Sequence, residues 1–591
     1  MRVKLLLIVL LLSSALLLDA QTKKIKNVIF MIPDGTSTSL LSLTRWYQGY
    51  KNGDIKNIPP LAVDEIVCGM VRTHSSNAPI GDSAPTSSWY ATGEASKAGY
   101  VGMYSQADPE NDLVPIDGAR AYQPLMTVLE ASKLSGKKTG LVVTCHYPHA
   151  TPADFSSHWN RRSNYKLIAR QMAYNNIDLI FGGGSSYLTK EAEEHLTGSG
   201  YDIIINDLQK FHSIKEHKDT RVWALFGEVD LPYDIDRDPK KDPSLSEMTK
   251  KAIGVLSKNE KGFFLMVEGS KVDWAAHAND PIGSITEFLA FDRAVEAALA
   301  FAKKNGETIV VVLPDHSTGG ITFGNQNSNS NYSKLSVREI FDPLVSWMVT
   351  PGRAAGLLTE SFKADISYIE EQIRCFNPKI KLTKPERDEF LSIYEKWGND
   401  KKVFPDKIAQ HVLKIATSRN YVGFTTTGHT GEDVFLAVYD PTGKEPRGVI
   451  RSDDVNKYIC RSMGWINKKG ETTLKDSTEK YFCSHDKIFS NCNINLIKND
   501  SLYKWNNQSM GFKVVGKRNK YDILYLGSGK EEGKIDDVIL IVEKGDNRLE
   551  IPAYKSIYYF NSEKRSMNTI SIYVDKNDKF YLPVYMSKFL K

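Results

Sequence analysis

Three apolar stretches, Asn27–Asp34, Gly262–Glu268 and Thr308–Asp315, run through β-branched or aromatic residues and stop at a carboxylate. Neither face of such a strand is polar, so both must be covered, as they are in a parallel sheet sandwiched between helices. Glu287–Lys304 supplies one helix, with Leu289, Ala290, Ala294, Ala297, Ala298 and Phe301 at helical spacing. The expected fold is α/β, with a large central, mostly parallel sheet flanked by helices on both faces. Sheets of this kind bind ligands beyond the carboxyl ends of their strands, so three strand ends carrying acids point to one shared site.

Of 591 residues, 41% are apolar and 25% charged, which excludes disordered, collagen-like and membrane-embedded classes. The 76 basic and 71 acidic residues leave a formal charge of +5, too near balance for nucleic-acid wrapping, and no nucleic-acid-specific partner is expected. Residues 1–20 join Arg2 and Lys4 to the apolar run Leu5–Leu12 and to small residues up to Ala20, the layout of a secretory signal peptide. Cleavage after Ala20 fits, with Ala15 as competitor. An exported product is expected, periplasmic or secreted, with no transmembrane anchor, because no later run reaches the roughly 20 apolar residues of a membrane helix. Six cysteines permit occasional disulfides, and Cys483 and Cys492 are near enough to close a small loop. With no CxxC pair, zinc through thiolates is not expected, and any metal must use His and carboxylates.

From Asn325 to about Tyr421 the pattern changes to an Asn/Ser-rich loop and charged helical stretches near Phe362–Arg374 and Lys384–Trp397, read as a crown-like insertion at about 325–421. A strand pattern returns at Val434–Asp440, after Gly428-His429-Thr430-Gly431. Residues 21–465 thus form one large α/β domain. Residues 470–591, with strand patterns joined by turns such as Gly545-Asp546-Asn547, read as a small, mainly antiparallel β accessory domain.

The chemistry-bearing residues lie in the large domain. Asp273 and His277 are at i, i+4 spacing just after the strand that ends in Glu268, so one helix face can present both to a divalent ion. Taken alone this pair is a common solvated helix face, and Asp315-His316 is a common helix cap. Together with Asp34 and His429 they make a nitrogen and oxygen ligand set suited to zinc and magnesium. Ser83, in Gly81-Asp82-Ser83-Ala84-Pro85, stands where a helix begins, so backbone N–H groups and the positive helix end favour an alkoxide and a bound anion; an ordinary N-cap serine is the bland alternative. No Gly-x-Ser-x-Gly elbow is present, which argues against activation of Ser by His and favours a metal as the activator.

The stretches around Asp34, Ser83, His149–Arg162, Glu268–His277, Asp315-His316 and His429 resemble the alkaline phosphatase family in order and spacing over roughly residues 25–465. The resemblance implies hydrolysis of small phosphate monoesters through a phosphoserine at Ser83. It implies two Zn2+ ions, one on Asp273, His277 and His429 and the other on Asp34, Asp315, His316 and the Ser83 oxygen. A third ion, Mg2+ or a third Zn2+, falls on Asp34, Thr151 and Glu268, and the phosphate-clamping arginine on Arg162, with Arg161 beside it. His149 and Trp274 replace the Asp and Lys of the best-known bacterial form and would border the substrate. His149 favours zinc in the third position or merely packs in its loop. Family members are often dimers, so a homodimer stays open. Two alternatives within the superfamily are a sulfatase, for which Ser87 stands where an Arg is required, and a phosphodiesterase, against which Thr151 and Glu268 argue. A non-catalytic phosphate or glycan binder is the alternative from another class.

Overall fold

The computed structural model describes residues 24–498, 501–503, 522–526, 532–536, 538–567, 571–577 and 579–590, so the segment read as a signal peptide lies outside the described residues. Val28–Ile32, Phe263–Val267 and Ile309–Leu313 have no solvent exposure. The strands they form belong to one ten-stranded sheet. In chain order its strands are β1 (Asn27–Ile32), β2 (Val67–Arg72), β3 (Lys138–His146), β4 (Leu179–Gly183), β5 (Asp202–Ile205), β6 (Val222–Leu225), β7 (Phe263–Glu268), β8 (Thr308–Val312), β9 (Val434–Tyr439) and β10 (Gly448–Arg451). The spatial order is β10-β2-β9-β8-β1-β7-β3-β4-β6-β5. All neighbours are parallel except β9, which is antiparallel to β8 and to β2.

Side chains alternate between the two faces of this sheet and feed two separate cores. Ile29, Met31, Leu265, Val267, Val310 and Val312 pack on one side. Val28, Phe30, Ile32, Phe264, Met266, Ile309 and Val311 pack on the other. Removing each such side chain from water stabilises the fold by about 1.5–3 kcal/mol, which fixes register because a one-residue slip would exchange the cores. The first core is covered by the helices Thr38–Lys51 and Pro281–Asn305, the latter opened by the Asp280 side chain accepting from the Ile282 N–H and closed at Gly306, φ +71°.

The insertion leaves and rejoins the sheet through a narrow neck in which Phe323 pairs with Val422, and the Asn325 amide donates to the carbonyls of Asn420 and Val422. It contains the helices Val337–Val345, Pro351–Glu360, Ile366–Phe376, Lys384–Trp397 and Val403–Thr417, whose apolar residues join the first core. After the large sheet come a six-stranded antiparallel sheet and a three-stranded one. They dock firmly. The Tyr573 hydroxyl donates to Glu130 Oε1 at 3.0 Å, the Met126 N–H to Thr478 Oγ1 at 2.9 Å, and Trp159 and Leu167 of the large domain enter the C-terminal apolar cluster. All six cysteines are unpaired: Cys483 lies on a ladder opposite Leu582, whereas Cys492 packs into the C-terminal cluster, so no loop is closed between them.

Candidate active site

The chain leaves β1 at Ile32 and turns at Gly35, whose φ is +64°. The turn aims Asp34 across the carboxyl end of the sheet, and the Gly35 N–H donates to Asp315 Oδ1 at 3.2 Å. A Cβ at Gly35 would lie 2.5 Å from Asp273 Oδ1 and 2.7 Å from Thr318 Oγ1. Gly35→Ala should therefore strain the backbone by about 1–3 kcal/mol and also displace Asp273. Urea unfolding should register the first effect and metal analysis the second; unchanged values in both would mean the turn tolerates a side chain.

Four carboxylates converge here, and all are buried: Asp34, Glu268, Asp273 and Asp315. Both oxygens of Asp34, Glu268 Oε1 and Asp315 Oδ2 lack hydrogen-bond partners. Burial, and then the neighbouring Asp315, Asp273 and Glu268, push the Asp34 carboxyl well above its usual range, with Arg162 opposing. Burial followed by Asp315 pushes Glu268 up to about 8, and burial pushes Asp315 up to about 6. Each unpartnered buried group costs about 1–3 kcal/mol, so a cluster of this kind calls for a compensating cation.

The imidazoles make the same demand. His277 Nδ1 lies 2.5 Å from the Thr427 carbonyl and His429 Nδ1 2.9 Å from the Gly81 carbonyl. Carbonyls only accept, so both Nδ1 atoms carry protons, and in neutral rings both Nε2 atoms present lone pairs. Those Nε2 atoms face each other at 3.0 Å, with Asp273 oxygens 3.4 Å from one and 3.9 Å from the other. Lone pairs held at that distance repel unless a cation or shared proton lies between them. A two-residue ladder pairing His429 with Thr318 and Thr430 with Ser317 brings His429 here and stacks its ring on His316 at 3.9 Å. Burial pulls the His316 imidazole down to about 3, so the ring is neutral and its lone pair available. Its Nε2 lies 3.2 Å from Ser83 Oγ, 3.4 Å from Asp34 Oδ1 and 3.6 Å from Asp315 Oδ2.

Ser83 is the first residue of the helix Ser83–Thr92, with Asp82 as N-cap and Gly93 closing it at φ +80°. Arg162 Nη1 donates to Asp82 Oδ1 and Nη2 to His149 Nε2 at 3.2 Å, whereas Arg161 is exposed. Burial raises the Asp82 pKa, but the Arg162 guanidinium beside it leads the opposing contributions and the carboxyl stays below its usual range. His149 caps the short helix Ala150–Asp154; its ring sits 5.8 Å from that of Trp274, and burial followed by Arg162 lowers its pKa. Thr151 Oγ1 is buried with no hydrogen-bond partner.

Among the described residues, three sets of donor atoms lie within 4.8 Å of one another: Asp273, His277 and His429; Asp34, Asp273 and His316; and Cys145, His149 and Glu268. The first matches the triad named from sequence. In the second, Asp273 joins Asp34 and His316, while Asp315 Oδ1 accepts from the Gly35 and His316 N–H groups. Three contributors escaped the sequence reading. Thr318 Oγ1 donates to Asp273 Oδ1 at 2.5 Å, Asp82 holds Arg162, and Cys145 faces Glu268. Asp82 and Thr318 each adjoin or nearly adjoin a named residue, which was the signal available.

A parallel α/β sheet whose strand ends gather unpartnered carboxylates and paired imidazoles beside a helix-start hydroxyl defines a metal-dependent hydrolase. The family model for alkaline phosphatase matches residues 25–465, and the chain belongs to the alkaline phosphatase family. It is 34% identical over 457 residues to alkaline phosphatase 4 of Bacillus subtilis, covering 74% of this chain and 89% of that one. To the repressible alkaline phosphatase of Saccharomyces cerevisiae it is 33% identical over 467 residues, with 72% and 78% covered. The crystal structure of a cold-active alkaline phosphatase from Shewanella sp. superposes with a TM-score of 0.63 at 27% identity, covering 74% of this chain and 99% of that one. The protein is thus a phosphate-monoester hydrolase.

Proposed function

We propose that Ser83 is the nucleophile of a phosphoserine mechanism, a reading carried by the placement of its Oγ at a helix start 3.2 Å from His316 Nε2. Asp273, His277 and His429 would hold one zinc-class cation, Asp34, Asp315 and His316 with Ser83 Oγ a second, and Asp34, Thr151 and Glu268 a third that is magnesium or zinc. When bound, these ions neutralise the phosphoryl oxygens and lower the pKa of the serine hydroxyl, the departing alcohol and the attacking water. Ser83 gives up its proton to solvent and attacks phosphorus in line as the alcohol leaves; water then breaks the seryl ester, restoring Oγ and releasing phosphate. The amide end of the Ser83–Thr92 helix favours the negative charge that develops there. Arg162, steered by Asp82, clamps two non-bridging oxygens, and Trp274 with His149 walls the substrate side. Thr318 holds Asp273 in orientation.

The test is turnover of p-nitrophenyl phosphate, its bis ester and its sulfate, with and without chelator; the monoester alone should be hydrolysed fast, and chelation should stop it. Arg162→Ala should lower monoester kcat/KM by roughly 10- to 100-fold, the worth of one charge-assisted hydrogen bond, and affect the diester less. Exposed Arg161→Ala should stay within about twofold of wild type. Reversal of those two phenotypes would move the clamp by one residue. In the same reading residues 1–20 direct export, 21–465 carry catalysis with 325–421 inserted, and 470–591 form an accessory domain. N-terminal sequencing of protein recovered from the culture medium or periplasm would test the export segment. No helix among the described residues is long and apolar enough to cross a membrane.

A further inference from the structure

Cys145 lies near the carboxyl end of β3, beside β7, which ends in Glu268, and is fully buried. Its Sγ is 3.7 Å from Glu268 Oε2, and one donor atom from each of Cys145, His149 and Glu268 falls within 4.8 Å of the other two. Two further atoms of this group, Glu268 Oε1 and His149 Nδ1, are buried without partners, in residues 0% and 6% exposed. A tetrahedral zinc with Zn–S near 2.3 Å and Zn–O near 2.1 Å sets its sulfur and oxygen ligands about 3.6 Å apart. The Cys145 thiol donates to Glu268 Oε2 over 3.7 Å, close to that edge, so an ion can take the place of the shared proton with little movement of either side chain.

We propose that Cys145 is a sulfur ligand at the third cation position, joining Glu268 there, with the His149 imidazole available once Arg162 releases Nε2 and the ring proton moves from Nδ1 to it, and that this set takes a zinc-class ion in preference to magnesium. This rests on the reading above in which Glu268 helps to hold a third cation. It departs from the expectation, drawn from the lack of a CxxC pair, that thiolates take no part: strand adjacency brings together residues 123 positions apart, a signal that local spacing does not carry. Magnesium demands octahedral oxygen ligation and gains little from sulfur or imidazole, whereas zinc and cobalt accept both. On binding, the thiol transfers its proton to solvent and the sulfur donates its lone pair to the metal, and wherever the Glu268 carboxyl is still protonated it releases its proton as well. The other five cysteines belong to no such donor group among the described residues.

The test uses full-length protein stripped by chelator and titrated with Co2+, followed by absorption spectroscopy and metal analysis. The last equivalent bound should bring a thiolate-to-cobalt charge-transfer band in the near ultraviolet. Cys145→Ser should bind the same number of ions without that band. Its zinc-over-magnesium preference at the last site should fall by at least the roughly tenfold that loss of even an outer partner costs. Three ions bound with no band in the wild type, or a band that persists in Cys145→Ser, overturns the sulfur ligand alone. Only two ions bound in both proteins overturns the third-cation reading as well. The wild-type spectrum decides even where a variant misfolds, and Cys145→Thr provides a second replacement of similar size.

Discussion

Ser83→Ala should abolish turnover while leaving the fold and the bulk of the metal content in place. Loss of a serine nucleophile lowers kcat on the order of 10⁶-fold where such a group acts directly. The substitution is mild structurally, since Asp82 remains the N-cap and alanine is a good helix former at the first position. The same helix carries other hydroxyls, and their partners decide between them. Thr86 Oγ1 donates to the Asp82 carbonyl at 2.8 Å, and Ser88 Oγ donates to Asp154 Oδ1 at 2.7 Å while accepting from the Gly102 N–H. Ser87, one turn beyond Ser83, has a buried hydroxyl with no partner, so Ser87→Ala is the control. Incubation with ³²P-labelled monoester and acid quenching should label wild type and Ser87→Ala but not Ser83→Ala. Label retained by Ser83→Ala would transfer the role to another group.

The strands around Asp34, Glu268 and Asp315 were legible because burial on both faces leaves an uninterrupted apolar run, and the sheet rule then places their terminal acids together. The helix Lys384–Trp397 was legible to its last residue, since Thr383 and Glu386 form a capping box and Gly398 follows. Val337–Val345 and Val403–Thr417 were not, because Pro343 and Pro405 lie inside them and read as breakers. The helix Pro281–Asn305 begins more than two turns before Leu289, the first residue of the apolar periodicity that suggested it, at the Asp280-Pro281 start signal. In the site, local motifs revealed the named acids and histidines, whereas contacts between distant segments stayed hidden. Thr318 meets Asp273 across 45 positions, and Tyr573 reaches Glu130 across 443, so a tail read as an appendage is stitched into the main core.

Removing the cations should make stability fall more steeply with rising pH than it does in the loaded enzyme. Glu268 and Asp315 have folded pKa values near 8 and 6, and Asp34 is raised by the same burial and crowding. A carboxyl whose pKa is higher folded than unfolded stabilises the fold fully below its unfolded value of about 4; that contribution is lost as pH rises through the folded value. For the stripped protein the loss therefore falls between about pH 4 and 8, with Asp315 spent near 6 and Glu268 near 8. Cation binding needs the same carboxylates ionised, so affinity grows over that window, and each ion at a hundredfold excess over its Kd adds about 2.7 kcal/mol. Asp280, Glu287 and Asp292 are also raised by burial, to about 7, 8 and 6, but they are not among the donor groups and titrate alike with or without ions. The difference between loaded and chelated melting temperatures thus isolates the site. Calorimetry at pH 5, 6.5 and 8 should show that difference widening at each step. A gap that stays constant, or chelated protein that gains stability towards pH 8, would show that these carboxylates are not kept apart from their protons by metal.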